Sequence, residues 1–351
     1  MLYQTSNPHG GDIYAQPVRL DFSTNTNPLG TPPTVISAMK EALRLSSRYP
    51  DPYCRGAVSA ISRYENVPQD AILMGNGAAE LIYSYCQTEA PRSALIAVPT
   101  FSEYENVLRA NRCKVIHHKL SPENDFDLQE DFTEAILTYK PHAVFLCNPN
   151  NPTGRLIQPQ LLRKILTLCE VIKARLFVDE CFLFLTDSRP VLNELITDHP
   201  SLFVLKAFTK SHALAGIRIG YCLCSDRYLL QKMSRTVPPW NVSVIAQAAA
   251  AAAVNETDYM RESAALIKTE RKYLTSALSD IGFHICPSDA NFLLFRAYVG
   301  LDTDLRKEEI LIRNCGNFIG LGPGWFRIAV RTHEENEILI QSVKRIIKER
   351  P

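Results

Sequence analysis

At 351 residues, with roughly 150 per domain, the chain has room for about two domains and a large buried core, which excludes a peptide hormone or small binding module. Thirty-eight Lys and Arg against 37 Asp and Glu leave a net charge of +1, so no global field gathers nucleic acid or an anionic membrane. Apolar content of 46% with 21% charged residues excludes a mainly disordered chain, and no apolar run approaches the roughly 20 residues of a membrane span.

Residues 1–16 lack the basic start and apolar middle of a secretory signal, which sets the cytoplasm as the expected compartment. An irregular arm ends in Asn27-Pro28-Leu29-Gly30, and a helix is expected to start near Pro32-Pro33, because proline fits the first helical turn and breaks the interior. Short runs rich in Val, Ile, Leu and Phe follow: Ala71 to Met74, Ala94 to Val98, Lys114 to His118, Ala143 to Cys147, Leu176 to Val178, Leu202 to Leu205 and Ile217 to Leu223. Being apolar on both faces and separated by helical stretches, they predict a seven-stranded, mainly parallel sheet covered on both sides, with a ligand at the strands' carboxyl ends. After Pro238-Pro239 come an Ala-rich helix, Val244 to Val254, and a long charged helix, about Asp258 to Ser279. Strands at Gly282 to Ile285, Asn291 to Arg296 and Phe326 to Val330, with helices around Leu301 to Ile310 and Glu334 to Lys348, complete a smaller α+β domain. The expected division is 1–48 as arm and first helix packing with the small domain, 49–240 as the large α/β domain, and 241–351 as connecting helices and small domain.

The ten cysteines fall mostly in apolar stretches with no C-x-x-C pair and read as reduced core residues. The eight histidines are scattered, and adjacent His117 and His118 would point to opposite faces of a strand, so no metal site is expected.

Three segments fall at predicted carboxyl ends of strands. They are Asn148-Pro149-Asn150-Asn151-Pro152-Thr153-Gly154, then Asp179-Glu180, then Phe208-Thr209-Lys210-Ser211 leading to Ala215-Gly216-Ile217-Arg218. Taken singly, each has a plain explanation: turn chemistry, a helix cap and a surface lysine. Their order and spacing resemble those of the fold type I pyridoxal-phosphate enzymes, specifically the class that includes histidinol-phosphate aminotransferase. The resemblance spans nearly the whole chain.

It implies pyridoxal 5'-phosphate as cofactor, with Lys210 as the amine that joins the cofactor aldehyde and later moves protons, and Asp179 against the ring nitrogen. By the same resemblance Asn151 bonds the ring hydroxyl oxygen and Phe101 stacks on the ring. Gly77 and Ala78, in Gly75-Asn76-Gly77-Ala78-Ala79-Glu80, form a phosphate-binding turn with Thr209 and Arg218. Tyr49 reaches the phosphate of a neighbouring subunit, which implies a homodimer with shared active sites. The chain departs from the family pattern at Ala207, where a Ser or Thr commonly meets the phosphate, and at Phe182, where many aminotransferases carry a Tyr.

Both chain ends suggest a subgroup. His9-Gly10-Gly11, Leu20 to Gly30, Asp179-Glu180-Cys181-Phe182, Ile310 to Cys315 and Phe326 to Arg331 look like segments of the L-threonine-O-3-phosphate decarboxylases of cobalamin biosynthesis. A small phosphorylated amino acid needs two cationic contacts. By similarity Arg327 with Asn151 takes the carboxylate, and Arg313, Asn25, His9 and Gly10 take the phosphate. Arg331 either orients Arg327 or is solvated. Histidinol-phosphate or related aminotransfer, and decarboxylation of serine phosphate, are the alternative activities. A noncatalytic regulator is a further alternative, opposed by the joint retention of Lys210 and Asp179.

Overall fold

The computed structural model describes residues 9–186 and 192–350, so the first eight residues of the predicted arm lie outside it. The strands in chain order are β1 (Leu20–Asp21), β2 (Ile72–Gly75), β3 (Ser93–Val98), β4 (Lys114–Lys119), β5 (Ala143–Cys147), β6 (Arg175–Asp179), β7 (Leu202–Ala207) and β8 (Gly220–Leu223). They continue with β9 (His284–Ile285), β10 (Phe292–Arg296), β11 (Ile310–Leu311), β12 (Arg313–Asn314) and β13 (Trp325–Ala329).

Seven strands form one sheet in the order β2-β8-β7-β6-β5-β3-β4, and only β8 runs against its neighbours. Strands β5 and β7 are buried at every position. The period of two sends Phe145, Phe177 and Phe203 to one face, where register stacks them at 4.7 and 5.1 Å and Tyr85 caps the row. Val144, Val178 and Val204 go to the other face and pack with Leu162, Ile165 and Ala249 from the helices Pro159–Val171 and Val244–Ala253. Burial on both faces is what the continuous apolar runs required.

A second sheet, β12-β13-β10-β9, is antiparallel and packs Leu293, Phe295 and Ile328 against Leu274, Leu339 and Val343 of the helices Thr257–Asp280 and His333–Glu349. The arm joins this region through β1, which pairs in parallel with β11. The helix Pro33–Ala42, begun by Pro33 as expected, lies on Val244–Ala253.

Several boundaries differ from the sequence expectation. The last strand of the large sheet begins at Gly220 rather than Ile217, because Arg218 takes a left-handed φ of 61° that ends any extended run before it. Strand β7 continues through Lys206 to Ala207. The helix after Gly300 stops at Lys307, and Ile310 enters β11 instead. All ten cysteines are buried free thiols. Among the described residues no helix is long and apolar enough to cross a membrane.

Candidate active site

The carboxyl ends of β5, β6 and β7 open into a cavity of about 390 Å³, roofed by the segment Ser23–Asn25, by His9 and Gly10 of the arm, and by Arg313 and Arg327. Its floor is set by the strand ends. β6 delivers Asp179, and the short helical turn Phe208–Ser211 directly after β7 delivers Thr209 and Lys210. Lys210 is fixed through its backbone, whose carbonyl accepts from the Asn27 amide at 2.9 Å. Burial, with the nearby charges of Arg327 and Arg218, lowers its pKa to about 8. A lysine so placed has a substantial neutral fraction near physiological pH, as a nucleophilic amine requires.

Asp179 is buried, and its two oxygens are held apart in role. The Cys181 amide donates to Oδ1 at 2.9 Å and the Tyr104 hydroxyl donates to Oδ2 at 2.6 Å. Burial pushes its carboxyl pKa up, and the Cys181 thiol, the Tyr104 hydroxyl, the Cys181 amide and the Lys210 charge oppose the rise.

A cradle for an anion lies beside this pair. The helix Gly77–Glu89 begins at Gly77, whose φ of +80° suits glycine, and points its first amides toward the cavity wall formed by Ala78 and Ala79. A Cβ on Gly77 would stand 2.6 Å from Arg218 Nη2, so only glycine lets the guanidinium lie across the helix start. Thr209 and Arg218 line the same side. Ala207 is buried in the core beneath and brings no hydroxyl.

Arg327 is buried and donates to Asn151 Oδ1, and through Nη2 to the Ser23 carbonyl at 2.8 Å, while its Nε has no partner. Asn151 thereby keeps its amide hydrogens for the cavity. Burial lowers the Arg327 pKa to about 10, within the range that leaves it charged. Arg313 donates to Asn317 Oδ1 at 2.8 Å and sits 5.1 Å over the Phe318 ring. The buried Asn25 Oδ1 is also without a partner. Gly10 lies so close to Ser23 that a Cβ would fall 2.5 Å from the Ser23 carbonyl oxygen, and the Gly11 amide donates to Ser23 Oγ at 2.8 Å. His9 is braced by Glu103 at 3.0 Å and tilts against Phe101 at 5.7 Å.

Of the residues expected in the site, Ala78, Phe101, Asn151, Asp179, Thr209, Lys210, Arg218, His9, Gly10, Asn25, Arg313 and Arg327 line this one cavity, with Gly77 directly behind Arg218. Tyr49 does not line it. That ring is 78% exposed and stacks on Trp240 at 4.3 Å. Arg331 also turns elsewhere, pairing with Glu335 at 2.8 Å at the start of the last helix. Phe182 stacks edge-on with Phe292 at 5.1 Å and places its ring 5.9 Å from Lys210 Nζ. Sequence reasoning missed Tyr104, Ser23 and Phe318; the i, i+3 spacing of Phe101 and Tyr104 was the available signal for the first.

The residues present fit pyridoxal phosphate: an amine of lowered pKa, a carboxylate across from it, a helix-start anion cradle closed by an arginine, and an aromatic wall. The chain matches the family model for aminotransferase class I and II over residues 18–343. It is 32% identical over 332 residues to threonine-phosphate decarboxylase of Salmonella typhimurium, covering 93% of this chain and 91% of that one. It is also 32% identical over 341 residues to histidinol-phosphate aminotransferase of Methanothermobacter thermautotrophicus, covering 94% and 89%. The crystal structure of histidinol-phosphate aminotransferase from Clostridium acetobutylicum superposes with a TM-score of 0.87 at 32% identity, over 93% of this chain and 98% of that one. Fold, sequence and the lysine–aspartate pair agree: the chain belongs to the pyridoxal-phosphate-dependent aminotransferase class I and II family.

Proposed function

We propose that the chain decarboxylates L-threonine O-3-phosphate to (R)-1-amino-2-propanol O-2-phosphate, the aminopropanol unit used in cobalamin biosynthesis. The observation that carries this reading is the pairing of Arg313 with Arg327 as direct cross-strand partners on β12 and β13, both lining the cavity. Like charges placed opposite each other on a sheet are destabilising. A ligand with two anionic groups offsets that cost, and the two guanidiniums already hold different partners, Arg327 on Asn151 and Ser23 and Arg313 on Asn317. Arg327 with Asn151 takes the carboxylate; Arg313, with Asn25, His9 and the Gly10 amide, takes the phosphate. Histidinol phosphate itself has no carboxylate, so in the alternative reaction Arg327 would meet one only in the keto-acid half, on 2-oxoglutarate.

When bound, pyridoxal phosphate supplies an electron sink for the pair released at the substrate α-carbon. The side chains do the rest. Asp179 accepts the proton-bearing ring nitrogen as an ionic partner, while the Gly77–Ala78 amides, Thr209 and Arg218 hold the cofactor phosphate. Arg327 and Asn151 orient the carboxylate so that its bond to the α-carbon is the one broken. That bond cleaves, carbon dioxide leaves, and Lys210 Nζ delivers one proton to the same carbon. Phe182, backed by the buried Phe292, brings no hydrogen-bonding group to this side of the cavity.

The same reading includes a second copy of the chain. The exposed, stacked Tyr49 and Trp240 support it as an aromatic surface awaiting a partner, with Tyr49 reaching the partner's cofactor phosphate. A cytoplasmic site of action is supported by the ten unpaired thiols.

The test is carbon dioxide release from threonine phosphate by purified holoprotein with no keto acid present. Stoichiometric release with aminopropanol phosphate formed supports the proposal. Glutamate formed from 2-oxoglutarate and histidinol phosphate, without carbon dioxide from threonine phosphate, overturns it. Serine phosphate lacks one methyl and is disfavoured by only about 1–3 kcal/mol in an apolar contact, so its relative kcat/KM ranks the two substrates.

A further inference from the structure

Tyr104 was not among the residues that the sequence pointed to, yet it is the side chain most closely engaged with Asp179. It lies in the first turn of the helix Ser102–Ala110, one turn beyond Phe101, and is fully buried. Its ring packs edge-on to Phe101 at 5.5 Å and against Phe145 and Phe177 at 5.9 and 6.0 Å, so the hydroxyl has little freedom to choose a partner. The partner it has is Asp179 Oδ2, at 2.6 Å. That is the length of a charge-assisted O–H···O⁻ bond.

Asp179 can serve a cofactor's ring nitrogen only as a carboxylate, because a neutral carboxylic acid is a donor at one oxygen and no longer an ionic partner. Its surroundings work against ionisation. Burial favours the neutral acid. Facing the carboxyl group are the thiols of Cys147 and Cys181, the Cys181 amide at 2.9 Å, the Lys210 ammonium and the Tyr104 hydroxyl. Once Lys210 is joined to a cofactor aldehyde its ammonium is consumed as a counter-charge. The Cys181 amide and thiol and the Tyr104 hydroxyl are then the hydrogen-bond donors that remain on the group, and Tyr104 alone among them comes from another element.

We propose that Tyr104 is a positioning residue: its hydroxyl keeps Asp179 ionised and fixes which oxygen lone pair faces the cofactor's ring nitrogen. The Cys181 amide occupies Oδ1 and Tyr104 occupies one side of Oδ2, so these donors, with the Cys181 thiol, set the direction left toward the cavity. This role is independent of which substrate the cavity takes.

The experiment uses full-length holoprotein carrying Tyr104→Phe, which retains the packed ring and removes only the hydroxyl. Cofactor affinity is measured by equilibrium binding, and ring-nitrogen protonation by the ¹⁵N shift of pyridoxal phosphate labelled at that atom. We expect a dissociation constant raised about tenfold or more, as for loss of a hydrogen bond to a charged group, and a ¹⁵N shift moved toward the unprotonated value. In an Asp179→Asn background the same substitution is expected to change affinity less than about twofold. A wild-type ¹⁵N shift in the variant overturns the proposal, as does an equal loss of affinity in the Asp179→Asn background. Incorporation of 3-fluorotyrosine at 104 preserves the donor and should preserve the wild-type shift; loss of that shift would place the effect in packing and count equally against it.

Discussion

Lys206, near the end of β7, and Lys210, in the helical turn that follows it, send their side chains to opposite sides of the sheet. Lys210 faces the cavity, whereas the fully buried Lys206 sends its ammonium to the other face, 3.1 Å from Glu65, 2.9 Å from Asn193 Oδ1 and 3.5 Å from Glu180. Tyr221 and Asn193 also donate to Glu65. One lysine is therefore available for chemistry and the other is committed to a buried ionic cluster beneath it.

That division predicts different failures for the two lysines. Lys210→Ala should abolish turnover and the visible absorbance of a lysine-bound cofactor while leaving thermal stability of the apoprotein near wild type. Lys206→Met strands Glu65 and Glu180 without their shared cation and should cost about 3–5 kcal/mol of stability, as for other buried pairs broken by removing one partner. Urea unfolding of both apoproteins, with absorbance of both holoproteins, separates the cases. Normal activity in Lys210→Ala would remove the assignment.

Glu180 gives the cluster a pH dependence whose sign can be worked out. Burial, reinforced by Glu65 and Asp179 and opposed by Lys206, raises its pKa from 4.5 to about 7. Between those values the folded chain holds a proton that the unfolded chain has released, so stability falls as pH rises through that window. Glu180→Gln should flatten this part of the stability profile between about pH 5 and 7. Parallel wild-type and variant profiles in urea titrations across that range would contradict the account.

The paired arginines predict a substrate-by-mutant pattern. Arg313→Leu should lower kcat/KM for threonine phosphate about 100-fold or more, in line with removal of one member of a desolvated charge pair, and leave the low activity on unphosphorylated threonine nearly unchanged. Arg327→Leu should depress both substrates, because both carry the carboxylate. Equal losses on both substrates in Arg313→Leu would reassign that arginine.

Gly77→Ala tests the phosphate cradle without replacing a charged group. The new methyl meets Arg218 Nη2 at 2.6 Å, and the backbone there holds φ at +80°, so both the guanidinium and the helix start must shift. We expect about 1–2 kcal/mol of lost stability from the backbone and about tenfold weaker cofactor retention from the displaced arginine. Dialysis against cofactor-free buffer, followed by absorbance, reads the second effect directly.

Much of this molecule is legible in its sequence, and the parts that are not share a physical cause. The inner strands of the large sheet announce themselves as apolar runs, the edge strand β4 being half-buried and carrying His117 and His118, and Asp179 and Lys210 stand at or just after strand ends where fold geometry gathers ligands. The apolar run Leu202 to Leu205 stops one residue short of Lys206, which lies buried inside β7. Only the arrival of Glu65 and Glu180 from distant segments makes its burial tolerable. Tyr104 reads as core, which it is, and its hydroxyl's partner is fixed by tertiary packing alone. The two-residue strands β1, β11 and β12 are too short for a period to show, and their pairing is imposed by the elements around them.

Lys210 itself supplies a pH test that needs no substrate. Capture of the cofactor aldehyde requires the neutral amine, and an ordinary lysine, with a pKa of roughly 10.4, is almost wholly protonated at neutral pH. Burial first, then the charges of Arg327 and Arg218, bring Lys210 down to about 8. The rate at which apoprotein takes up pyridoxal phosphate should therefore climb with pH and level off just above 8, instead of climbing on toward 10. Arg327→Leu removes one of the two positive neighbours, so its midpoint should lie higher than that of the wild type. Stopped-flow absorbance between pH 6 and 10 measures both curves, and a wild-type rate still rising tenfold per pH unit at pH 9 would show that Lys210 is not held in the depressed state described above.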